Sequence, residues 1–137
     1  DVVMGTSTAG IAHAAISAHI LGKPMGYVRG SSKSHGRNNR IEGKLEKGDK
    51  VVVVEDLIST GGSSIEVVEA LREAGAEVLA VISIFTYETA KADKNFQDAN
   101  VEKLSLCTIS ELIDTAVAEN YVTSEEGKGI IEWLREI

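Results

Sequence analysis

Two acidic residues, Glu55 and Asp56, close an unbroken β-branched run of Val51, Val52, Val53 and Val54, and Leu57, Ile58, Ser59, Thr60, Gly61, Gly62, Ser63 and Ser64 follow them. Small residues in such a loop let backbone N–H groups converge on a phosphate at a helix N-terminus, where the dipole and the unpaired donors favour negative charge. The two carboxylates can accept hydrogen bonds from sugar hydroxyls. The pattern is that of an anion site beside a diol site. It has neither the Gly-Lys-Ser/Thr ending of a P-loop nor the spacing of a dinucleotide fingerprint. A second group of residues is basic. Between Met25 and Ile41 there is no Asp or Glu, yet Arg29, Lys33, Arg37 and Arg40 fall there with His35. A cationic stretch in a chain of net charge −7 predicts a local anionic ligand.

The surrounding elements must place these groups. Val2, Val3 and Met4, then the Gly- and Thr-rich residues 5–10, then Ile11, Ala14, Ala15, Ala18 and Leu21 predict strand, loop and helix. Gly22 and Pro24 stop the helix, and residues 25–28 resume as a short strand. Residues 30–40 carry no large apolar side chain and predict a mobile loop. Ile41 and Leu45 mark another short strand. Residues 51–54 read as a parallel strand covered on both faces and ended by Glu55 and Asp56. Residues 57–64 read as loop, and Ile65, Val68, Leu71 and Ala74 as a helix that Gly75 stops. With a strand over 78–85 this makes one right-handed βαβ crossover. A polar helix over 89–98, an edge strand over 101–106 and closing helices over 109–120 and 124–135 complete the chain. The alternation predicts one α/β domain over residues 1–137, a doubly wound parallel sheet with flanking helices.

The strand, the two acids and the turn Thr60-Gly61-Gly62-Ser63 resemble the binding signature of type I phosphoribosyltransferases for phosphoribosyl diphosphate. The stretch from Tyr27 through Arg29 and Lys33-Ser34-His35-Gly36 to Ile41-Glu42-Gly43 is similar to the catalytic loop of orotate phosphoribosyltransferases. The resemblance covers essentially the whole chain. It implies transfer of a 5-phosphoribosyl group from phosphoribosyl diphosphate to orotate, giving orotidine 5′-monophosphate and diphosphate in pyrimidine synthesis. Glu55 and Asp56 are then expected to hold the ribose hydroxyls, and Ser59, Thr60, Gly61, Gly62 and Ser63 the 5′-phosphate. Leu57 and Ile58 complete that binding stretch, and Ser59 also meets orotate. Arg29, Lys33 and His35 are the expected catalytic residues: they contact the departing diphosphate, with the loop closing over the neighbouring subunit's site in a homodimer. Mg²⁺ is expected to bind mainly through the substrate's own oxygens, and no His, Cys and Asp cluster has metal-ligand spacing. Residues 5–10 resemble the family's diphosphate-contacting loop. Ala9 stands where some relatives have lysine and Gly30 where some have another basic residue, so the loop over 5–10 offers N–H groups rather than charge. A purine phosphoribosyltransferase or a non-catalytic phosphoribosyl-diphosphate sensor are the alternatives. The Lys33-to-Gly36 stretch with Ile41-Glu42-Gly43 points away from the first, and the acidic charge leaves the second without a nucleic-acid surface.

The composition is that of an ordinary folded domain, with 43% apolar residues and one proline. No stretch approaches the roughly 20 apolar residues that span a bilayer, and there is no leader pattern at residue 1. The single Cys107 cannot form an internal disulfide, and Leu104 and Leu106 beside it predict a buried small residue. A cytoplasmic protein is expected. The negative charge argues against non-specific nucleic-acid binding, which needs a basic surface to release counterions. His13 and His19 read as surface or core residues of the first helix, and Tyr87 as a packing residue. A buried strand as first element, with no initiator Met, reads as a fragment lacking the family's N-terminal, substrate-covering segment.

Overall fold

Alternating apolar residues build the strands, and their two-residue period decides which helix each side chain meets. The computed structural model describes residues 1–30 and 40–137. In chain order the elements are β1 (Val2–Thr6), α1 (Ala9–Leu21), β2 (Met25–Val28), β3 (Ile41–Glu42), β4 (Lys50–Ile58), α2 (Gly62–Glu73), β5 (Glu77–Thr86), α3 (Ala90–Asp98), β6 (Glu102–Thr108), α4 (Ile109–Ala118) and α5 (Ser124–Glu136). The strands form one six-stranded sheet in the order β3-β2-β1-β4-β5-β6. Every neighbouring pair is parallel except β2 and β3, which run antiparallel at one edge.

Val2, Met4, Val51 and Val53 point to one face, where they pack with Val67, Val68 and Leu71 of α2 and Phe96 of α3. Val3 and Val54 point to the other face and meet Ala14 and Ala18 of α1, whose small side chains let the helix lie close to the sheet. The chain moves from β1 toward one edge, returns to β4 beside β1, and then moves toward the other edge. This reversal is a topological switch point, and ligands of open α/β sheets bind outside the carboxyl ends of the strands there.

Three boundaries differ from expectation. Strand β4 does not end at the acids, because Glu55, Leu57 and Ile58 continue the ladder against Ser83, Phe85 and Thr86 of β5. The loop therefore shrinks to residues 59–61 and α2 starts at Gly62. Leu45 lies outside β3, which holds only Ile41 and Glu42. Coverage on both faces holds for β1 and β4 but not for the far side of the sheet. Helix α1 packs on β1, β2 and β4, leaving Ile84 and Leu106 exposed in an apolar cleft of about 450 Å³ that Ile16 and Leu21 of α1 also line. Cys107, on the opposite face of the edge strand β6 from Leu106, is half-buried rather than buried. Among the described residues no helix is long and apolar enough to cross a membrane.

Glu88 ties the approach to α3 to the approach to α4. Its carboxylate accepts from the Ser110 N–H at 3.0 Å; hydrogen bonding from the Ser110 side chain first, then from this N–H and the Arg135 charge, outweighs the raising effect of burial and holds its pKa below the ordinary 4.5. A folded-state pKa below the unfolded one adds stability that is complete above the unfolded value and is lost as pH falls through the folded value. Glu88→Gln is therefore expected to lower stability at pH 7 by about 0.5 kcal/mol after solvent screening. The difference from the unaltered chain should shrink once pH falls below the ordinary glutamate value of roughly 4.3 and be gone below the lowered folded value. Thermal melts of both proteins from pH 7 to pH 3 check this, and a gap that grows on acidification contradicts it.

Candidate active site

The loop after β1, the loop after β4 and the end of β2 meet at the carboxyl edge of the sheet, on either side of the β1–β4 switch point. Each is tied to its neighbours by side chains. Ser7 donates through Oγ to the Val28 carbonyl at 2.9 Å and through its N–H to the same oxygen at 3.3 Å, fixing the β1–α1 loop to the end of β2. Gly10 sits so close to β4 that a Cβ there would collide with Thr6 Oγ1 and the Val54 carbonyl oxygen. The Ser7–Thr8 peptide within this loop is cis.

On the β4 side, Gly61 takes φ +81°, a left-handed conformation that a side chain disfavours, and a Cβ there would come within 2.5 Å of the Phe96 ring. No side chain caps α2. The N–H groups of its first turn have no intrahelical acceptors, and Gly62 and Ser63 are exposed, so these donors face solvent where an anion can reach them. Helix α3 supports the loop from below. Thr89, which is buried, donates to the Ser59 carbonyl at 2.6 Å while its oxygen caps α3 by accepting from the Ala92 N–H. Asn95 donates to the Thr60 carbonyl at 2.8 Å.

The two acids occupy different places. Period-two alternation puts Asp56 on the opposite face of β4 from Glu55, half-buried at the strand's carboxyl end. Glu55 is 6% exposed. One of its oxygens accepts from Thr6 Oγ1 at 2.7 Å and from the Asp56 N–H at 3.1 Å, and the other from Ser64 Oγ at 2.9 Å. Burial, and after it the neighbouring Asp56 carboxyl, raises the Glu55 pKa above its ordinary value, against the lowering effect of the three donors. Glu55 thus spends both oxygens on protein donors, and Asp56 is the acid that the edge leaves closer to solvent. Ser59, Thr60, Gly61, Gly62 and Ser63 come together as one turn. Leu57 is 40% exposed, whereas the Ile58 side chain lies in the core and its carbonyl accepts from the Tyr87 N–H at 3.0 Å. Tyr87 packs edge-on against Phe85, with ring centroids 5.3 Å apart.

Arg29 follows β2 directly, at the same edge. Its Nε lies 3.5 Å from Glu42, its N–H donates to the Arg40 carbonyl at 2.7 Å, and Arg40 Nε returns a bond to the Arg29 carbonyl. Lys33 and His35 lie outside the described residues. His13 and His19 are exposed on α1, away from these contacts. Among the described residues no group of three His, Cys, Asp or Glu could hold a metal ion. Sequence reasoning proposed the turn and the acids; it gave Thr6 and Ser64 no role of their own within the loops it singled out, and it did not single out Asn95 or Thr89. Only Thr6 and Ser64 carried a signal, each being a hydroxyl residue at the junction of a strand or helix with a Gly-rich loop.

A doubly wound sheet with an acidic strand end, a Gly-rich turn at an uncapped helix start and a second small-residue loop at its switch point is the arrangement of an open α/β sheet with a candidate ligand site at its carboxyl edge. The family described as the phosphoribosyl transferase domain matches residues 1–120, and the chain belongs to that family. Among its relatives is the orotate phosphoribosyltransferase of Listeria innocua, 54% identical over 135 residues, a match that covers 98% of this chain and 65% of the relative. The chain thus spans about two thirds of that protein's length. The fold is shared with an orotate phosphoribosyltransferase from Aeropyrum pernix at a TM-score of 0.75 and 32% identity, over 83% of this chain and 63% of that one. It is shared too with the Mycobacterium tuberculosis orotate phosphoribosyltransferase in complex with 5-phospho-α-D-ribosyl 1-diphosphate, at a TM-score of 0.65 and 26% identity, over 81% of this chain and 64% of that one.

Proposed function

We propose that the protein carrying this chain transfers the 5-phosphoribosyl group of phosphoribosyl diphosphate to N1 of orotate, forming orotidine 5′-monophosphate and diphosphate. The observation that carries the reading is the turn over residues 59–63 at the uncapped start of α2, side by side with Asp56 and with the loop after β1. The turn holds the 5′-phosphate through backbone N–H groups and the Thr60 and Ser63 hydroxyls. Asp56 accepts from the ribose hydroxyls, Glu55 shaping the same strand end from within, and Ser59 borders the orotate. The loop over 5–10 meets the diphosphate through N–H groups, since Ala9 brings no charge.

In the reaction N1 of orotate forms a bond to the anomeric carbon and its N–H proton passes to an oxygen of the departing diphosphate, while the bond from that carbon to the diphosphate oxygen breaks and its electron pair leaves with the diphosphate. The transition state resembles an oxocarbenium ion, as in glycosyl transfer generally. Arg29, Lys33 and His35 neutralise the charge that collects on the leaving group and keep water away as their loop closes. In this reading the loop serves the neighbouring copy of a cytoplasmic homodimer. A Mg²⁺ ion, when bound, adds positive charge at the diphosphate. Asp56, the acid nearer solvent at the strand end, is the side chain that could approach an ion carried in on substrate oxygens.

The test is an assay of a protein spanning the relatives' full length, with orotate, adenine and hypoxanthine as competing acceptors. Consumption of orotate alone is expected, and preference for either purine overturns the acceptor assignment. In that protein Lys33→Ala is expected to lower kcat by about 100-fold while the Kd for phosphoribosyl diphosphate rises only a fewfold, as for a group that acts mainly on developing charge. An unchanged kcat removes Lys33 from the mechanism.

A further inference from the structure

We propose that Glu55 is a positioning residue that braces the loop after β1 against the start of α2, so that the two anion-binding loops keep a fixed separation. The inference rests on the reading that these loops receive the two phosphate-bearing ends of one substrate. Glu55 is the only charged side chain buried among the described residues, and its two oxygens reach two different elements, Thr6 at the end of β1 and Ser64 in the first turn of α2. Both elements lead directly into the loops in question. Each hydroxyl alone could rotate away, but a carboxylate that accepts from both fixes their distance, and bonds to an ionised acceptor are about twice as strong as neutral ones. The junction has no slack on its far side, since Gly10 packs against the same Thr6 hydroxyl with no room for a Cβ.

Burial raises the proton affinity of this carboxyl. A protonated carboxyl becomes a donor itself and forces one of the two hydroxyls to turn, which loosens one arm of the brace. A substrate that spans both loops needs the separation held within a fraction of an ångström, so looseness here is read as lost affinity and misplacement rather than as unfolding.

Titration of the 137-residue chain with phosphoribosyl diphosphate, inorganic diphosphate and ribose 5-phosphate, each with Mg²⁺, tests this. Thr6→Val removes the β1 arm, together with the longer 3.3 Å bond of the same hydroxyl to the Val54 carbonyl, and is expected to weaken inorganic diphosphate about tenfold, leaving ribose 5-phosphate within about twofold. Ser64→Ala removes only the α2 arm and should do the reverse, while Glu55→Gln weakens phosphoribosyl diphosphate by about tenfold or more. Adding Ser64→Ala to Glu55→Gln should cost no further affinity, because the amide keeps its oxygen toward the Asp56 N–H and Thr6 and turns its NH2 toward Ser64, so the carboxylate arm to Ser64 is already gone. Thr6→Ser keeps the donor and should bind as the unaltered chain does, and Thr6→Ala replaces Thr6→Val if the valine does not fold. Additive losses in the double variant overturn the brace, as do melting temperatures that fall with affinities unchanged. A loss confined to ribose 5-phosphate in Glu55→Gln, with Thr6→Val and Ser64→Ala unaffected, overturns it in favour of direct sugar contact. If the unaltered chain binds none of the three compounds, the sugar-phosphate reading itself fails and the brace falls with it.

Discussion

Asp56→Asn is expected to weaken phosphoribosyl diphosphate binding by about 100-fold, with a melting temperature within about 2 °C of the unaltered chain. An ionised carboxylate offers acceptor sites to both hydroxyls of a cis-diol, whereas an amide offers one acceptor oxygen and turns a donor toward the other hydroxyl. Each hydrogen bond to a charged acceptor is worth roughly 1.5–3 kcal/mol when the ligand can make it nowhere else, and every 1.4 kcal/mol is tenfold in affinity. Stability changes little because Asp56 is half-buried at a strand end rather than in the core. The measurement is a parallel calorimetric titration and thermal melt of the two proteins. Equal affinity in the Asn variant would mean that the acids at this strand end are structural and the diol is bound elsewhere.

Gly10→Ala sets two effects of opposite sign against each other. Gly10 is the second residue of α1, where alanine is the better helix former by up to about 1 kcal/mol. Against this, the added Cβ would collide with the Val54 carbonyl oxygen, which belongs to the backbone of a central strand and cannot swing aside. Overpacking against fixed neighbours costs about 1–3 kcal/mol, and here the obstacle is backbone, so the upper end applies and the collision wins. A net loss of about 2 kcal/mol is expected, or a melting temperature lower by about 8 °C. Binding of phosphoribosyl diphosphate should weaken as well, since the displaced atoms include the Thr6 hydroxyl that Glu55 holds. A melting temperature equal to or above that of the unaltered chain contradicts the close packing of α1 on β4.

The architecture was legible because its signals are local and strong. An apolar run next to a Gly-rich turn and a helical repeat gives strand, loop and helix twice over, and the order of these units yields the switch point that places β1 beside β4. The ends of β4 and α2 were not legible, since Glu55 through Ile58 become strand only by pairing with β5, a tertiary contact that overrides the polar character of the acids. The open face beyond α1 was equally hidden. Ile82, Ile84 and Leu106 look like core residues in any window of sequence, and only the placement of α1 over β1, β2 and β4 shows that nothing among the described residues covers Ile84 and Leu106.

At the site, residue types sufficed to propose an anion turn beside two acids, because that chemistry needs small residues and carboxylates in one order. They did not separate the roles of the acids. The two-residue period of β4 did contain that information, since Val51, Val53 and Glu55 share one face and Val52, Val54 and Asp56 the other. Reading it required knowing that the strand continues past Val54. Thr89 and Asn95 were beyond reach, as they hold the carbonyls of Ser59 and Thr60 from 30 and 35 residues away in sequence.

The most direct test of the central claim is calorimetric titration of the unaltered chain with phosphoribosyl diphosphate in the presence of Mg²⁺. The arrangement of Asp56, the turn over residues 59–63 and the loop over 5–10 predicts saturable one-to-one binding that inorganic phosphate and ribose 5-phosphate displace only weakly. Heat indistinguishable from dilution, in a chain shown by its melting transition to be folded, would contradict the assignment of this edge of the sheet as a phosphoribosyl diphosphate site.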